Sequence, residues 1–470
     1  MGRTEKDLIG CKEIADDVYY GIQTVRAVEN FPITGQRIHP SLIRAMAVVK
    51  KAAALANMEC GYLNERIGKA IVQAAEEIIA GEWHGQFVVD PIQGGAGTSI
   101  NMNANEVIAN RAIEIIGGKK GDYLVIHPNT HVNMAQSTND VFPTAVRIAA
   151  ITLLKGAVQG LEELAEALRQ KEKEFDQVVK MGRTHLQDAV PIRLGQEFGA
   201  YAWVVRRDVR RLSRAEESLL VINMGATAVG TGLNADPAYI KAVVGRLREL
   251  TGFNLRVAES LVDATQNVDA LVEVSAMLKT AAVNLTKIAN DLRLMASGPR
   301  AGLGEISLPP MQPGSSIMPG KVNPVIAEVV NQAAFQIMGN DLTVTLAAQA
   351  GQLELNVMEP VLVYNLLQSL DILRNVAVVF KHRCIVGIRA NAERCRELLD
   401  KSVGVVTAIN PHVGYEVASQ IAKEALMTGR SVRSIVLERG LLTPEELDVI
   451  LSPIEMTEPG IAGASLLRRP

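Results

Sequence analysis

Long apolar seams with helical spacing run through the middle of the chain and constrain the fold more than any other feature. Between residues 274 and 295, apolar side chains recur at alternating steps of four and three, and residues 154–175 and 362–380 carry similar patterns. Such spacing over roughly 20 residues places one apolar stripe along each helix. Several helices of this kind in succession predict an elongated bundle. The seams consist of Leu154, Val158, Leu161, Ala165, Leu168 and Phe175; of Val274, Leu278, Ala281, Leu285, Ile288, Leu292 and Met295; and of Leu362, Leu366, Leu370, Leu373, Ala377 and Phe380.

The positions of the seams and of turn-forming residues predict a mainly all-α protein with three domains. A chain of 470 residues can bury a large core and is expected to contain more than one domain. Residues 1–138 form an N-terminal mixed or helical domain, residues 139–393 a central long-helix bundle, and residues 394–470 a small C-terminal helical domain. In the last segment, Thr443-Pro444-Glu445-Glu446 is a capping-box pattern. Seams this long often continue across subunits, so we expect an oligomer, with a monomeric bundle as the alternative.

The composition argues against several classes of partner. The formal net charge is −3 and aromatic residues make up 4%, so neither nucleic acid nor a membrane surface is an expected partner. No apolar run approaches the roughly 20 residues that span a bilayer. The N-terminus lacks the apolar core of a signal peptide, and the four cysteines form no C-x-x-C pair. These features predict a cytoplasmic protein with reduced thiols.

Four segments rich in glycine, small hydroxyl and amide residues precede helical patterns. They are residues 94–99, 136–140, 181–188 and 314–324. A helix N-terminus offers unpaired N–H groups and a partial positive charge, and hydroxyl or amide side chains beside it can hold a carboxylate. Several such ends together would suit a small dianion. The alternative for each segment is ordinary helix capping, and Asn323 followed by Pro324 is a good capping signature.

Other motifs lack essential residues. Residues 225–232 have the glycine spacing of a phosphate loop but not the lysine that follows it. His127 and His131 are four residues apart, yet Pro128 between them indicates a turn, and no third metal ligand accompanies them. We therefore predict no metal site and no organic cofactor. His185 is the histidine of most interest, because its neighbours are polar.

Together the four segments closely resemble the fumarase/aspartase superfamily. The most specific match is GSSIMPGKVNP (residues 314–324). Further matches, in order along the chain, are GTSINMNANEV (residues 97–107), HVNMAQSTND (131–140), GRTHLQDAVP (182–191), GATAVGTGLN (225–234) and ELNVMEP (354–360). The resemblance covers nearly the whole chain. It implies a three-domain fold whose central helices form a twenty-helix core in a homotetramer, with each active site drawing on three subunits.

Three positions resemble the ammonia-eliminating branch of this superfamily. Fumarases usually have Ser where Ala96 stands, Ser where Thr138 stands, and Lys where Glu359 stands. The resemblance therefore implies the reversible deamination of L-aspartate to fumarate and ammonia. A class II fumarase is the alternative enzyme. A non-catalytic structural protein on the same fold is the alternative of another class. His185 does not discriminate between the two enzymes.

The resemblance also implies a role for each site residue. Ser315 would be the catalytic base, removing the C3 proton to give an aci-carboxylate. Lys321 and Asn323 would hold the α-carboxylate, with Thr184 and His185 contributing from another chain. Glu328 would orient His185, its alternative being a solvated helix residue. The remaining roles are the β-carboxylate site, formed by Thr98, Ser137, Thr138 and Ser316, and the contact to the amino group, made by Asn139 with His185. No cofactor is implied, although activation by a divalent metal stays open.

Overall fold

The computed structural model describes residues 2–467, and this part of the chain is mainly helical, as predicted. The α-helices are α1 (Ile22–Asn30), α2 (Pro40–Glu59), α3 (Glu65–Ala80), α4 (Thr98–Ile115), α5 (Thr138–Glu174), α6 (Leu194–Leu219), α7 (Pro237–Thr251), α8 (Leu261–Gln266), α9 (Asp269–Met295), α10 (Val325–Gln349), α11 (Glu359–Arg383), α12 (Ala392–Lys401), α13 (Val406–Val413), α14 (Tyr415–Thr428), α15 (Val432–Glu438), α16 (Pro444–Ile450) and α17 (Pro453–Thr457).

The short strands lie between the helices along the chain and pair with one another. Three pairs are antiparallel, β1 with β2, β3 with β4 and β7 with β8, whereas β5 pairs with β6 in parallel. The strands are β1 (Gly2–Lys6), β2 (Cys11–Ala15), β3 (Val179–Thr184), β4 (Gln187–Arg193), β5 (Val221–Ile222), β6 (Arg256–Val257), β7 (Ile306–Ser307) and β8 (Arg389–Ala390).

The chain divides into two compact units. Unit 1 comprises the described residues up to Gln159 together with Val209–Ala282 and Ala333–Asn375. Unit 2 comprises Gly160–Asp208, Val283–Gln332 and the described residues from Val376 onward. The long helices α5, α6, α9, α10 and α11 each contribute residues to both units. The division into three domains along the sequence stays a prediction.

The apolar seams are buried, which confirms their role in the core. Every seam residue on α9 and α11 is at most 5% exposed. On α5 the seam is also buried except at Val158, which is half-buried. Full burial of a Val, Leu, Ile or Phe side chain contributes about 1.5–3 kcal/mol. These seams are therefore a large part of what stabilises the long helices.

Helix α5 is long and apolar enough, judged by length and composition alone, to cross a membrane. Its most apolar 18-residue window has a mean hydropathy of 1.5. The sequence of α5 contains no uninterrupted apolar run of about 20 residues, because occasional polar residues interrupt this window. Since 78% of the window is buried inside the protein, α5 has the character of a core helix.

The segment 181–188 forms most of a β-hairpin, and the helix predicted to follow it begins only after the second strand of that hairpin. Strands β3 and β4 pair antiparallel, and α6 begins only at Leu194. His185 and Leu186 form the two-residue turn, with φ of 55° and 60°. Two left-handed residues are what a tight hairpin turn requires. The paired strands satisfy the N–H groups that a helix end would have left free.

Short helices form the C-terminal part of unit 2, as predicted. The capping box is present on α16, where Thr443 Oγ1 accepts from Glu446 N at 3.2 Å and Glu446 Oε2 accepts from Thr443 N at 2.8 Å. These helices share a small apolar core that includes Ile409, Ile421, Ile435, Val436, Leu447 and Ile450.

Candidate active site

The loop before α10 is held closed by its own backbone. Gly314 N donates to the Lys321 carbonyl at 2.8 Å, and the Asn323 side-chain amide donates to the Gly314 carbonyl at 2.8 Å. A methyl group at Gly314 would stand 2.6 Å from the Lys321 carbonyl oxygen, so this closure requires glycine. The structure therefore brings Ser315, Lys321 and Asn323 together on one compact loop.

Within this loop, the Ser315 hydroxyl faces two backbone N–H groups. Ser315 Oγ accepts from Ile317 N at 3.2 Å and from Met318 N at 3.1 Å. Donors that converge on a hydroxyl oxygen stabilise negative charge there. The loop can thus support a serine alkoxide.

The other loop residues are open to ligands. Ser316 and Lys321 are exposed, and Asn323 is half-buried. Because one N–H of the Asn323 amide bonds to Gly314, its second N–H remains available to a carboxylate. Glu328 is half-buried in the first turn of α10.

Thr184 and His185 lie exposed at the tip of the β3–β4 hairpin, also in unit 2. Buried ion pairs anchor the base of this hairpin. Glu305, which is fully buried, contacts Arg183 Nη1 at 2.7 Å and Lys180 Nζ at 3.0 Å. The anchor directly precedes Thr184, so it fixes the direction in which the tip projects. Glu305 could not be found from the sequence, since no motif marked it.

In unit 1, a strained turn begins α4. Gly95, Ala96 and Gly97 have φ of 91°, 54° and 89°, three successive left-handed residues. A methyl group at Gly97 would stand 2.7 Å from the Phe142 ring, so only glycine fits there. Thr98 follows as the first residue of α4, is exposed, and donates its hydroxyl to the Gly95 carbonyl at 2.7 Å.

The N-terminus of α5 lies against that of α4. Asn101, in the first turns of α4, donates to Thr138 Oγ1 at 3.0 Å. Asn139 donates its amide to the Ala228 carbonyl at 2.7 Å, and Ser137 Oγ accepts from Asn139 N at 3.3 Å. Two helix N-termini, with their partial positive charge, therefore meet beside Thr98, Ser137, Thr138 and Asn139.

Asp140 is buried next to these residues and holds their backbone in place, a role that its sequence context did not indicate. Its Oδ1 accepts from Ser137 N at 2.9 Å, and its Oδ2 accepts from Gly225 N and Thr227 N at 3.1 Å each. Burial raises the pKa of Asp140 to about 6, although these N–H donors act in the opposite direction. The carboxylate ties the glycine-rich 225–232 segment to the start of α5.

Lys50 is a second supporting residue that was missed. Its Nζ donates to Asn133 Oδ1 at 2.8 Å and to Gln136 Oε1 at 2.9 Å, and burial lowers its pKa to about 7. It thereby holds the segment that leads into Ser137. A lysine among the apolar residues of α2 was the available signal.

His127 and His131 use their side chains to accept hydrogen bonds from nearby backbone N–H groups. His127 Nδ1 accepts from Asn129 N and Thr130 N, and His131 Nδ1 accepts from His127 N. Across residues 2–467, no group of three His, Cys, Asp or Glu side chains could hold a metal ion. Whether the protein uses a metal or cofactor stays a prediction.

Two stretches of the sequence match known family models. Residues 10–339 match the family model described as Lyase, and residues 405–458 match the model described as Fumarase C C-terminus. The chain belongs to this lyase family, which confirms its resemblance to the fumarase/aspartase superfamily.

Particular relatives are similar over nearly their whole length. The aspartate ammonia-lyase of Bacillus subtilis (strain 168) is 64% identical, covering 99% of this chain and 98% of the relative. That of Escherichia coli (strain K12) is 49% identical, with coverage of 97% and 96%. Among solved structures, the fumarate lyase:delta crystallin of Brucella melitensis bound to cobalt has a TM-score of 0.95 at 50% identity, with coverage of 98% and 100%. A recombinant class II fumarase from Schistosoma mansoni has a TM-score of 0.93 at 35% identity, with the same coverage.

Proposed function

We propose that this protein is a carbon–nitrogen lyase that converts L-aspartate reversibly into fumarate and ammonia. The observation that carries the proposal is the gradient of identity, 64% to an aspartate ammonia-lyase against 35% to a class II fumarase. The fold is shared by both, so fold alone does not choose between ammonia and water.

Ser315 is the base in this proposal. As an alkoxide, it removes a proton from C3, and the electron pair of that bond moves into the adjacent carboxylate to form an aci-carboxylate. The electron pair then returns to form the C2–C3 double bond as ammonia leaves C2 with the electrons of the C–N bond. The two N–H groups that face Ser315 Oγ support this role because they stabilise the alkoxide.

Lys321 and Asn323 bind the α-carboxylate. Lys321 supplies a charge from the exposed side of the loop, and Asn323 supplies its free N–H. Thr184 and His185 of another subunit complete this contact, and Glu328 orients the His185 ring. Lys321→Met should raise the KM for L-aspartate severely.

The hydrogen bonds of Thr98 and Thr138 suggest that the two hydroxyl groups have different roles in the site. Thr138 Oγ1 accepts from Asn101, so its own hydrogen is free to be donated to the carboxylate. Thr98 donates its hydrogen to Gly95, so beside the β-carboxylate its oxygen is left as an acceptor for the substrate ammonium rather than as a partner of the carboxylate itself. Ser137 and Ser316 are the further hydroxyl donors to the β-carboxylate, where negative charge accumulates.

The amino group of bound L-aspartate is an ammonium, which donates hydrogen bonds but has no lone pair, so the site must offer it acceptors. Asn139 donates its amide N–H to Ala228, which leaves the amide oxygen to face the ammonium. With Thr98 and His185, this oxygen forms the proposed amino-group contact.

The proposed assembly is a homotetramer whose sites each draw on three subunits. Helix α10 supports it, because this helix carries large apolar side chains on its outer face as well as its inner one. Phe335, Leu342 and Leu346 are 57%, 60% and 52% exposed in the single chain. Large apolar side chains left exposed along a long helix are typical of a surface that another subunit covers. Sedimentation should give four times the chain mass of 50.6 kDa.

The proposed reaction needs no organic cofactor, because no electrons are exchanged with a carrier. Activation by a divalent metal is not part of the proposal. Permanent loss of activity after treatment with a chelator would contradict a metal-independent reaction. The proposed location is the cytoplasm, and the proposed substrate is a small molecule rather than nucleic acid or a membrane.

The decisive test is to incubate the purified protein separately with L-aspartate and L-malate and to follow fumarate formation. Fumarate from aspartate is the expected result. Fumarate from malate alone would identify a fumarase, and activity with neither would favour the structural protein. Ser315→Ala should abolish nearly all turnover while the tetramer persists, so a near-normal rate would refute the base assignment.

Mixing two inactive variants tests the shared site. Ser315→Ala and Thr138→Val tetramers, dissociated and reassembled together at equal concentration, should regain about one quarter of the wild-type activity if the two residues come from different chains. A site built from one chain would regain none. Ser315→Ala reassembled with itself is the control.

A further inference from the structure

Unit 1 contains a cavity of about 240 Å³ that the proposed reaction does not use. Its floor is apolar and consists of buried side chains from α4, α5 and α11, namely Ile100, Phe142, Val363 and Leu367. Its polar rim includes Arg37, His39, Tyr364 and Asp371. An apolar interior with a few polar groups at one side is typical of a small-molecule site. The volume suits a molecule smaller than most drugs.

The charges at the rim are unequally compensated. Asp371 Oδ2 lies 2.9 Å from His39 Nε2, and Asp371 Oδ1 lies 3.2 Å from Arg374 Nη2. His39 Nδ1 accepts from Ser41 N at 3.1 Å, so Nε2 carries the proton that is donated to Asp371. Asp371 therefore already has His39 and Arg374 as its partners.

Arg37 is the cation that remains. Its Nη1 donates to the Gly85 carbonyl at 3.3 Å, and no carboxylate pairs with it among residues 2–467. Guanidinium groups of this kind bind carboxylates by charge-assisted hydrogen bonds. The rim therefore favours an anion, while the Phe142 ring on the floor favours an aromatic group.

We propose that this cavity is an effector site for a small aromatic monocarboxylate, with the ring on the apolar floor and the carboxylate at Arg37. The effector role rests on the proposed function. It follows from the position of the floor, because Phe142 packs directly beneath Gly97 and Ile100 lies in the first turn of α4. A ligand that contacts these two residues acts on the turn that presents Thr98 to the substrate.

The test uses phenylacetate as the probe and the purified full-length protein. Calorimetry should detect saturable binding, and the uncharged phenylacetamide should bind about tenfold more weakly or worse. Arg37→Gln should weaken phenylacetate binding by a similar factor. Arg44→Gln is the matched control, because Arg44 is an exposed arginine that does not line the cavity. Leu367→Phe, which fills the floor, should abolish binding.

Three outcomes would overturn the proposed site. If phenylacetate shows no saturable binding, the proposed site does not exist. If Arg37→Gln leaves the binding unchanged, the carboxylate does not bind at Arg37. Binding that is lost in Lys321→Met would show that the probe occupies the substrate site instead. If phenylacetate binds as expected but changes the KM for L-aspartate by less than about fivefold, the effector role is wrong. Calorimetry measures binding without turnover, so the two tests are independent. Failure to produce fumarate from L-aspartate would refute the proposed function but would not change the binding result.

Discussion

Replacing Gly314 by alanine should open the serine loop without unfolding the protein. The added methyl group would stand 2.6 Å from the Lys321 carbonyl oxygen and 2.9 Å from Asn323 N. Both are backbone atoms, so neither can rotate away. The two hydrogen bonds that close the loop, Gly314 N to Lys321 O and the Asn323 amide to Gly314 O, should therefore be lost.

The magnitude follows from those two bonds. A typical hydrogen bond contributes about 0.5–1.5 kcal/mol, so closure should weaken by about 1–3 kcal/mol. If closure is needed to direct N–H groups at Ser315, kcat/KM for L-aspartate should fall about 5- to 150-fold. The loop is largely exposed, so the free energy of unfolding should fall by no more than this amount of about 1–3 kcal/mol, and the rest of the fold should persist.

Two further glycines provide controls for the same substitution. Gly320 has φ of 82°, but a methyl group added there would have no atom within 4 Å, so Gly320→Ala adds backbone strain of about 1–2 kcal/mol without a clash. Gly245 lies in α7 with open space around it and should tolerate alanine without loss of activity. The assay is steady-state fumarate formation with thermal unfolding in parallel. A Gly314→Ala protein with kcat/KM within twofold of wild type would refute the reasoning.

Three other perturbations test the core and the site. Gly97→Ala should lower both the melting temperature and kcat, because its methyl group would meet the Phe142 ring at 2.7 Å. Burial raises the pKa of Glu359 from 4.5 to about 8, so between these two pH values the folded state binds a proton that the unfolded state has released. The free energy of unfolding should therefore fall as the pH rises through this window. Glu359→Gln should make the free energy of unfolding less dependent on pH in the same window. Leu278→Ala should cost about 2–5 kcal/mol in chemical denaturation, whereas a loss below about 1 kcal/mol would contradict its place in the core.

The long helices could be predicted from the sequence because a single physical rule governs them. The seam positions on α9 and α11 are all buried, and spacing by three and four residues has few explanations other than a helix packed on one face. The loop before α10 was equally accessible, since Gly314 and Gly320 mark bends and α10 begins directly after Pro324.

The β-hairpin at residues 179–193 could not be predicted in this way. Its turn is formed by His185 and Leu186, which carry none of the glycine or asparagine signal that usually marks a tight hairpin turn. The supports of the site were missed for a related reason. Lys50, Asp140 and Glu305 act through contacts to residues distant in sequence, and periodicity reports only on neighbours along one element.

The hydrogen bonds of Asp140 also bear on the order in which the protein folds. This carboxylate joins the first turn of α5 to backbone groups 85 and 87 residues further along the chain. An isolated helix forms within about a microsecond, but contacts across such a distance must first overcome the entropy of closing the intervening loop. The start of α5 can therefore be helical before residues 225–227 reach it. During refolding, helical content should develop ahead of the ability to bind substrate, with an interval set by this closure.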